Sequence, residues 1–119
     1  MKLIYVAGPY TAKDTEGYEA NIQRAETAMV QLLNRGWSVI CPHKNGAWLH
    51  ANRGVQDTGF EAWLLRDMAI INVCDAVFFL EGWHDSKGSC VEWGACLALE
   101  KPHFFQAAGY PEPGDVHID

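Results

Sequence analysis

The chain has 119 residues, a formal net charge of −6 and 49% hydrophobic residues, enough for one domain with a single core but not for a second substrate domain beside a complete sheet. The negative balance excludes sequence-independent binding to duplex DNA or RNA, whose phosphates need a basic face, and favours a small metabolite as partner. No apolar stretch approaches bilayer-spanning length and the N-terminus lacks signal-peptide architecture, so a soluble cytoplasmic protein with no membrane partner is expected.

Leu3 to Ala7 is a short apolar run closed by Gly8-Pro9, which reads as a buried strand ending in a turn. From Tyr18 to Arg35, Ile22, Ala25, Met29 and Leu32 recur at three- and four-residue steps, giving the apolar stripe of a helix that Gly36 stops. Ser38 to Cys41 reads as a second strand ended by Pro42. The stretch from His43 to Asp57 has no clear period and reads as an irregular or partly helical lid, with Trp48 as a lid aromatic. Thr58 to Val73 is expected to form the next helix, with Thr58 and Glu61 as a capping box and Phe60, Leu64, Met68 and Ile71 on one face. Asp75 opens a third strand, Ala76 to Leu80, and His103 to Gln106 makes a fourth.

Strands and helices alternate throughout, which predicts a single α/β domain of flavodoxin-like type, a doubly wound parallel sheet of four to five strands. Residues 1–106 would form that domain and residues 107–119 a Gly- and Pro-rich tail. In such a sheet ligands bind beyond the carboxyl ends of the strands, so Gly8-Pro9-Tyr10, Pro42-His43-Lys44 and Gly82-Trp83-His84 would share one rim. Cys41, Cys74, Cys90 and Cys96 form no C-x-x-C pair, and Cys41, His43 and His50 lack a fourth ligand at zinc-finger spacing. No metal and no cofactor are expected.

The run Trp83-His84-Asp85-Ser86-Lys87-Gly88-Ser89-Cys90-Val91-Glu92 follows the third strand and leads into a helix. Two readings of it compete. Free N–H groups and the helix dipole would keep Glu92 ionised as a nucleophile, while Ser86 and Gly88 face a substrate. Alternatively Ser89 and Glu92 form a capping box with no chemistry.

These residues, with Ile4-Tyr5-Val6-Ala7-Gly8-Pro9-Tyr10, Asn21-Ile22, Arg24-Ala25-Glu26, Val39-Ile40-Cys41-Pro42-His43-Lys44-Asn45 and Cys74-Asp75-Ala76-Val77, resemble a family of small phage and bacterial proteins usually left as a domain of unknown function. That family looks like a branch of the nucleoside 2-deoxyribosyltransferase superfamily, and the resemblance reaches to about Phe105. The active loop is similar to that of the deoxynucleoside 5'-monophosphate N-glycosidases, in which a serine, a glycine two residues on and a glutamate four residues beyond it match Ser86, Gly88 and Glu92. The resemblance implies that Glu92 is the nucleophile at the anomeric carbon. It likewise implies that Asp67, eight residues before Asp75, is the acid or base, and that Tyr5 approaches the nucleophile. Pro9 stands where the phosphohydrolase group carries a phosphate-binding serine, as in the nucleoside-binding transferases.

The resemblance therefore implies N-glycosidic cleavage or transfer on a nucleoside or nucleoside 5'-monophosphate through a covalent glutamyl-sugar ester. Gly8, Pro9, Tyr10, His43, Trp48, Trp83, Ser86, Gly88 and Ser89 are expected to bind the substrate. A non-catalytic nucleotide-binding or sensing module of the same fold is the alternative. Convergence of Tyr5, Asp67 and Glu92 favours the enzyme; a Glu92 folded back onto Ser89 with Asp67 in solvent favours the binder. A homodimer is expected, because so short a chain leaves its pocket open and the tail and Trp93 are available at a surface.

Overall fold

The computed structural model describes residues 1–10, 12, 14–42, 56 and 59–116. Strand β1 (Leu3–Ala7) is followed by helix α1 (Thr15–Asn34), strand β2 (Ser38–Ile40), helix α2 (Phe60–Val73), strand β3 (Ala76–Phe79), helix α3 (Lys87–Ala98) and strand β4 (His103–Phe105). The four strands form one parallel sheet in the order β2-β1-β3-β4, with Tyr5 opposite Ile40 on one side and Val77 on the other. This is the flavodoxin-like order, whose switch point lies between β1 and β3, where their outgoing loops part to opposite sides of the sheet.

Because side chains alternate along a strand, β1 serves two cores. Ile4 and Val6 pack with Ala25, Ala28 and Leu32 of α1 and with Trp37 and Phe78. Tyr5 and Ala7 point the other way, into a cluster with Ile71 of α2, Cys96 of α3, Val77 and Phe79. Both faces of β1 are thus covered, which is why its sequence is a continuous apolar run rather than an alternation.

Helix α1 begins three residues before the expected Tyr18, because Asp14 caps it by accepting from the Gly17 N–H at 2.7 Å. Gly36, at φ +97°, ends it in the left-handed conformation that glycine adopts most readily. Its buried stripe is Asn21, Ala25, Ala28 and Leu32, so Ile22 and Met29 flank the contact line rather than forming it. Small residues at the line let the helix lie close to the sheet.

Helix α2 starts at Phe60 with Gly59 as a cap that makes no side-chain bond, and Thr58, the expected cap, lies outside the described residues. Only Ile71 is buried on it, while Phe60 is exposed and Leu64 and Met68 are half-buried. Beyond β4 the chain makes two short 3-10 turns, Gln106–Ala108 and Pro113–Asp115. Tyr110 stacks on Phe78 at 5.4 Å, and Trp37 Nε1 donates to the Pro111 carbonyl at 2.8 Å. These contacts engage the tail with its own sheet. No described helix is long and apolar enough to cross a membrane.

Candidate active site

Tyr5 sits in the middle of the central strand on the α2–α3 side, 1% exposed, and its hydroxyl donates to Glu92 Oε2. Asp67, on α2, lies near the same hydroxyl, close enough for its charge to raise the Tyr5 phenol. Tyr5, Asp67 and Glu92 therefore converge from three elements on one point.

The helix carrying Glu92 starts earlier than a Ser89 cap requires. Ser86 is the N-cap, accepting from the Ser89 N–H at 3.3 Å, and Ser89 lies inside the first turn. The Ser89–Glu92 capping box does not form, since Glu92 is in the second turn with its carboxyl turned to Tyr5. The same shift removes the expected dipole stabilisation, which fades beyond the first turn. Glu92 is not held ionised: burial pushes its carboxyl up to about 8, the Tyr5 hydroxyl opposes that rise, and the nearby Asp67 charge adds to it.

Burial also raises Asp67, to about 6, against the lowering effect of the Tyr5 hydroxyl, and the same surroundings push the Tyr5 phenol well above its ordinary value. A phenol has one proton to donate, and that of Tyr5 goes to Glu92 Oε2. The carboxyl pair, raised to about 6 and about 8, holds one proton near neutral pH and titrates as a unit.

The loops around this group are fixed by close packing. A Cβ on Gly8 would lie 2.7 Å from Leu80 Cδ1, so only glycine lets β1 leave the sheet against the end of β3. A Cβ on Gly82 would be 3.6 Å from Pro9 Cγ, which brings the loops after β1 and β3 together at the switch point. Tyr10 packs edge-on to Tyr18 at 5.5 Å, and its carbonyl accepts from Asn21 Nδ2 at 3.1 Å.

Gly88 lies beside Phe60, whose Cε2 is 3.7 Å from the place of a Cβ there, and Lys87 Nζ stands 4.9 Å over the Phe60 ring. Trp83 packs against the cluster that holds Tyr5, with its ring centroid 5.3, 5.6 and 5.5 Å from those of Phe79, Trp93 and Phe105. His43 and Trp48 lie outside the described residues.

Two residues given no part in the site from the sequence touch the segments around it. Asn21 is a buried amide on the contact line of α1 that ties the β1 loop through Tyr10, while its Oδ1 accepts from Arg24 at 2.7 Å. A polar residue in register with the apolar stripe was the available signal. Phe60, at the start of α2, stands over the start of α3, a contact between distant segments that no local pattern announces.

The chain belongs to the family described as domain of unknown function DUF1937, matched over residues 2–107. Its fold is similar to that of the 2-deoxyribosyltransferase from the psychrotolerant bacterium Bacillus psychrosaccharolyticus, with 23% identity, a TM-score of 0.58, and coverage of 87% of this chain and 70% of that one. That enzyme is described as a suitable biocatalyst for the synthesis of antiviral and antitumoral nucleosides. No curated protein matches the chain.

Proposed function

We propose that this member of the DUF1937 family cleaves the N-glycosidic bond of a nucleoside or nucleoside 5'-monophosphate, or transfers the sugar to a second base, through an ester on Glu92. The observation that carries this reading is the meeting of two desolvated carboxyls on one buried tyrosine hydroxyl beside the switch point of the sheet. A carboxyl pair of this kind supplies what the reaction needs, a nucleophile for the anomeric carbon and a proton for the leaving base.

In the first step a Glu92 oxygen bonds to the anomeric carbon as the carbon–nitrogen bond breaks. The bonding pair leaves with the base, which takes from Asp67 the proton that Glu92, with the higher pKa, passes to it through the Tyr5 hydroxyl before the attack. In the second step water attacks the anomeric carbon, its proton passes to Asp67, and the ester breaks to return Glu92 as carboxylate. A second base in place of water gives transfer.

Tyr5 acts as a positioning residue, donating to Glu92 Oε2 and giving the pair a hydroxyl through which its proton is shared. Pro9 at the first loop adds no hydroxyl for a phosphate, which supports nucleosides over their monophosphates.

Incubation with nucleosides and nucleoside monophosphates, with and without a second free base, tests the reading. The expected result is free base with a reducing sugar, or an exchanged nucleoside when the second base is present. Binding of nucleosides without any release of base would instead support the sensing module.

A further inference from the structure

Ser89 is 1% exposed, and its hydroxyl has no hydrogen-bond partner among the described residues. Its backbone N–H is already used, in the cap made by Ser86. A buried hydroxyl without a partner is uncommon and points to a group missing from the free protein. In a helix a serine also has the carbonyl one turn back within reach, and Ser89 does not take it.

Its place in the site says which group that is. Ser89 and Glu92 are three residues apart on the buried face of α3, hence neighbours on one side of the helix. Helical side chains lean towards the N-terminus, which leaves the Glu92 side chain on the same side of the helix as Ser89. One oxygen of that carboxyl is taken by Tyr5, and no other hydrogen bond to Glu92 occurs among the described residues.

Resting on the reading of Glu92 as nucleophile, we infer that the Ser89 hydroxyl receives the 2'-hydroxyl of the sugar, so that ribonucleosides rather than 2'-deoxynucleosides are the preferred substrates. An attacking oxygen must come within about 3–3.5 Å of the anomeric carbon. The groups nearest that carbon are the ring oxygen and the substituent at C2'; those at C3' and C5' lie further round the ring. The ring oxygen gains positive charge in the oxocarbenium-like transition state, so a hydroxyl donating to it would oppose the reaction. A 2'-hydroxyl both donates and accepts, as serine does, and hydrogen bonds at that position strengthen as the transition state forms.

Matched pairs decide it: adenosine, guanosine, cytidine and uridine against their 2'-deoxy counterparts, with kcat/KM for the unmodified chain and for Ser89→Ala. The unmodified protein is expected to favour the ribonucleoside by tenfold or more, since a site built to bond a hydroxyl discriminates against the analogue lacking it. Ser89→Ala should lose at least tenfold on ribonucleosides and less than threefold on 2'-deoxynucleosides, with an unchanged or higher Tm. Equal or greater activity on 2'-deoxynucleosides by the unmodified chain overturns the inference and leaves the proposed reaction standing. So does an equal loss on both classes, or a Tm lowered by several degrees with the preference intact, which assigns the hydroxyl a structural partner. Absence of base release from every compound removes the proposed reaction and this inference with it.

Discussion

The two faces of β1 differ by a single step along the chain. Towards α1, Ile4 and Val6 meet Ala25, Ala28, Leu32 and Phe78, and no buried charged residue joins them among the described residues. Towards α2 and α3, Tyr5 meets two carboxyls whose ionised forms burial disfavours. Both faces lower the energy of the folded chain by excluding water, but the second also holds groups that folding alone would not select. Stability and chemistry are separated by alternation along one strand, and substitutions on the two faces should have opposite signatures.

The largest effect on folding is expected on the α1 side. Leu32→Ala removes a fully buried side chain and should cost about 2–5 kcal/mol, seen as a large drop in Tm, while kcat of the fraction that remains folded changes little. A Leu32→Ala protein with normal Tm and lost turnover would show that the faces are not independent.

On the other side, Asp67→Asn should lower kcat by about 10²–10⁴-fold for substrates whose base leaves poorly. The loss should be least for an activated aryl glycoside, which needs no protonation; equal losses on both would remove Asp67 from the acid role. The pH profile sharpens this. With Asp67 raised to about 6 and Glu92 to about 8, activity should peak between those values. The nucleophile is lost below the lower one, where both carboxyls are protonated, and the proton for the base is lost above the upper one. In Asp67→Asn the acid limb should follow Glu92 alone, which burial still raises and which loses only the smaller contribution of the Asp67 charge.

The smallest effect on folding is expected at Gly88. A Cβ there meets nothing nearer than the 3.7 Å contact to Phe60, and glycine inside a helix is less stable than alanine by roughly 0.5–1 kcal/mol. Gly88→Ala should thus keep or raise Tm while raising KM, if the substrate approaches the start of α3. An unchanged KM would place the substrate elsewhere.

The alternation of elements was legible in the sequence because each strand is a short apolar run and α1 has a helical period. The in-register spacing that placed Asp67, Glu92 and Tyr5 relied on resemblance, and the structure brings those side chains to one point. What sequence could not give was whether each charged group meets water. Glu92 was expected to be ionised by a helix end, but a start at Ser86 moves it past the dipole's reach and burial then dominates. Ser89 does not act as the expected cap, because Ser86 also precedes the helix and the choice between them depends on where the chain enters. The α1 stripe was displaced by one residue because Asn21 and Ala28 carry little hydrophobic signal, yet lie at the contact.

The most direct test is Glu92→Gln, with Tm followed from pH 5 to pH 9 beside nucleobase release. A carboxyl raised on folding from 4.5 to about 8 stabilises the folded chain most below its unfolded pKa, and that contribution is lost as pH rises through the folded one. Glutamine keeps the acceptor for Tyr5 and never ionises. The account predicts that the variant gains in Tm over the unmodified protein progressively as pH rises, by several degrees at pH 9, while base release falls by about 10³-fold or more, as expected for loss of a covalent nucleophile. A variant that releases base at near-normal rate, with a Tm below that of the unmodified protein at every pH, would contradict it and return Glu92 to a structural role.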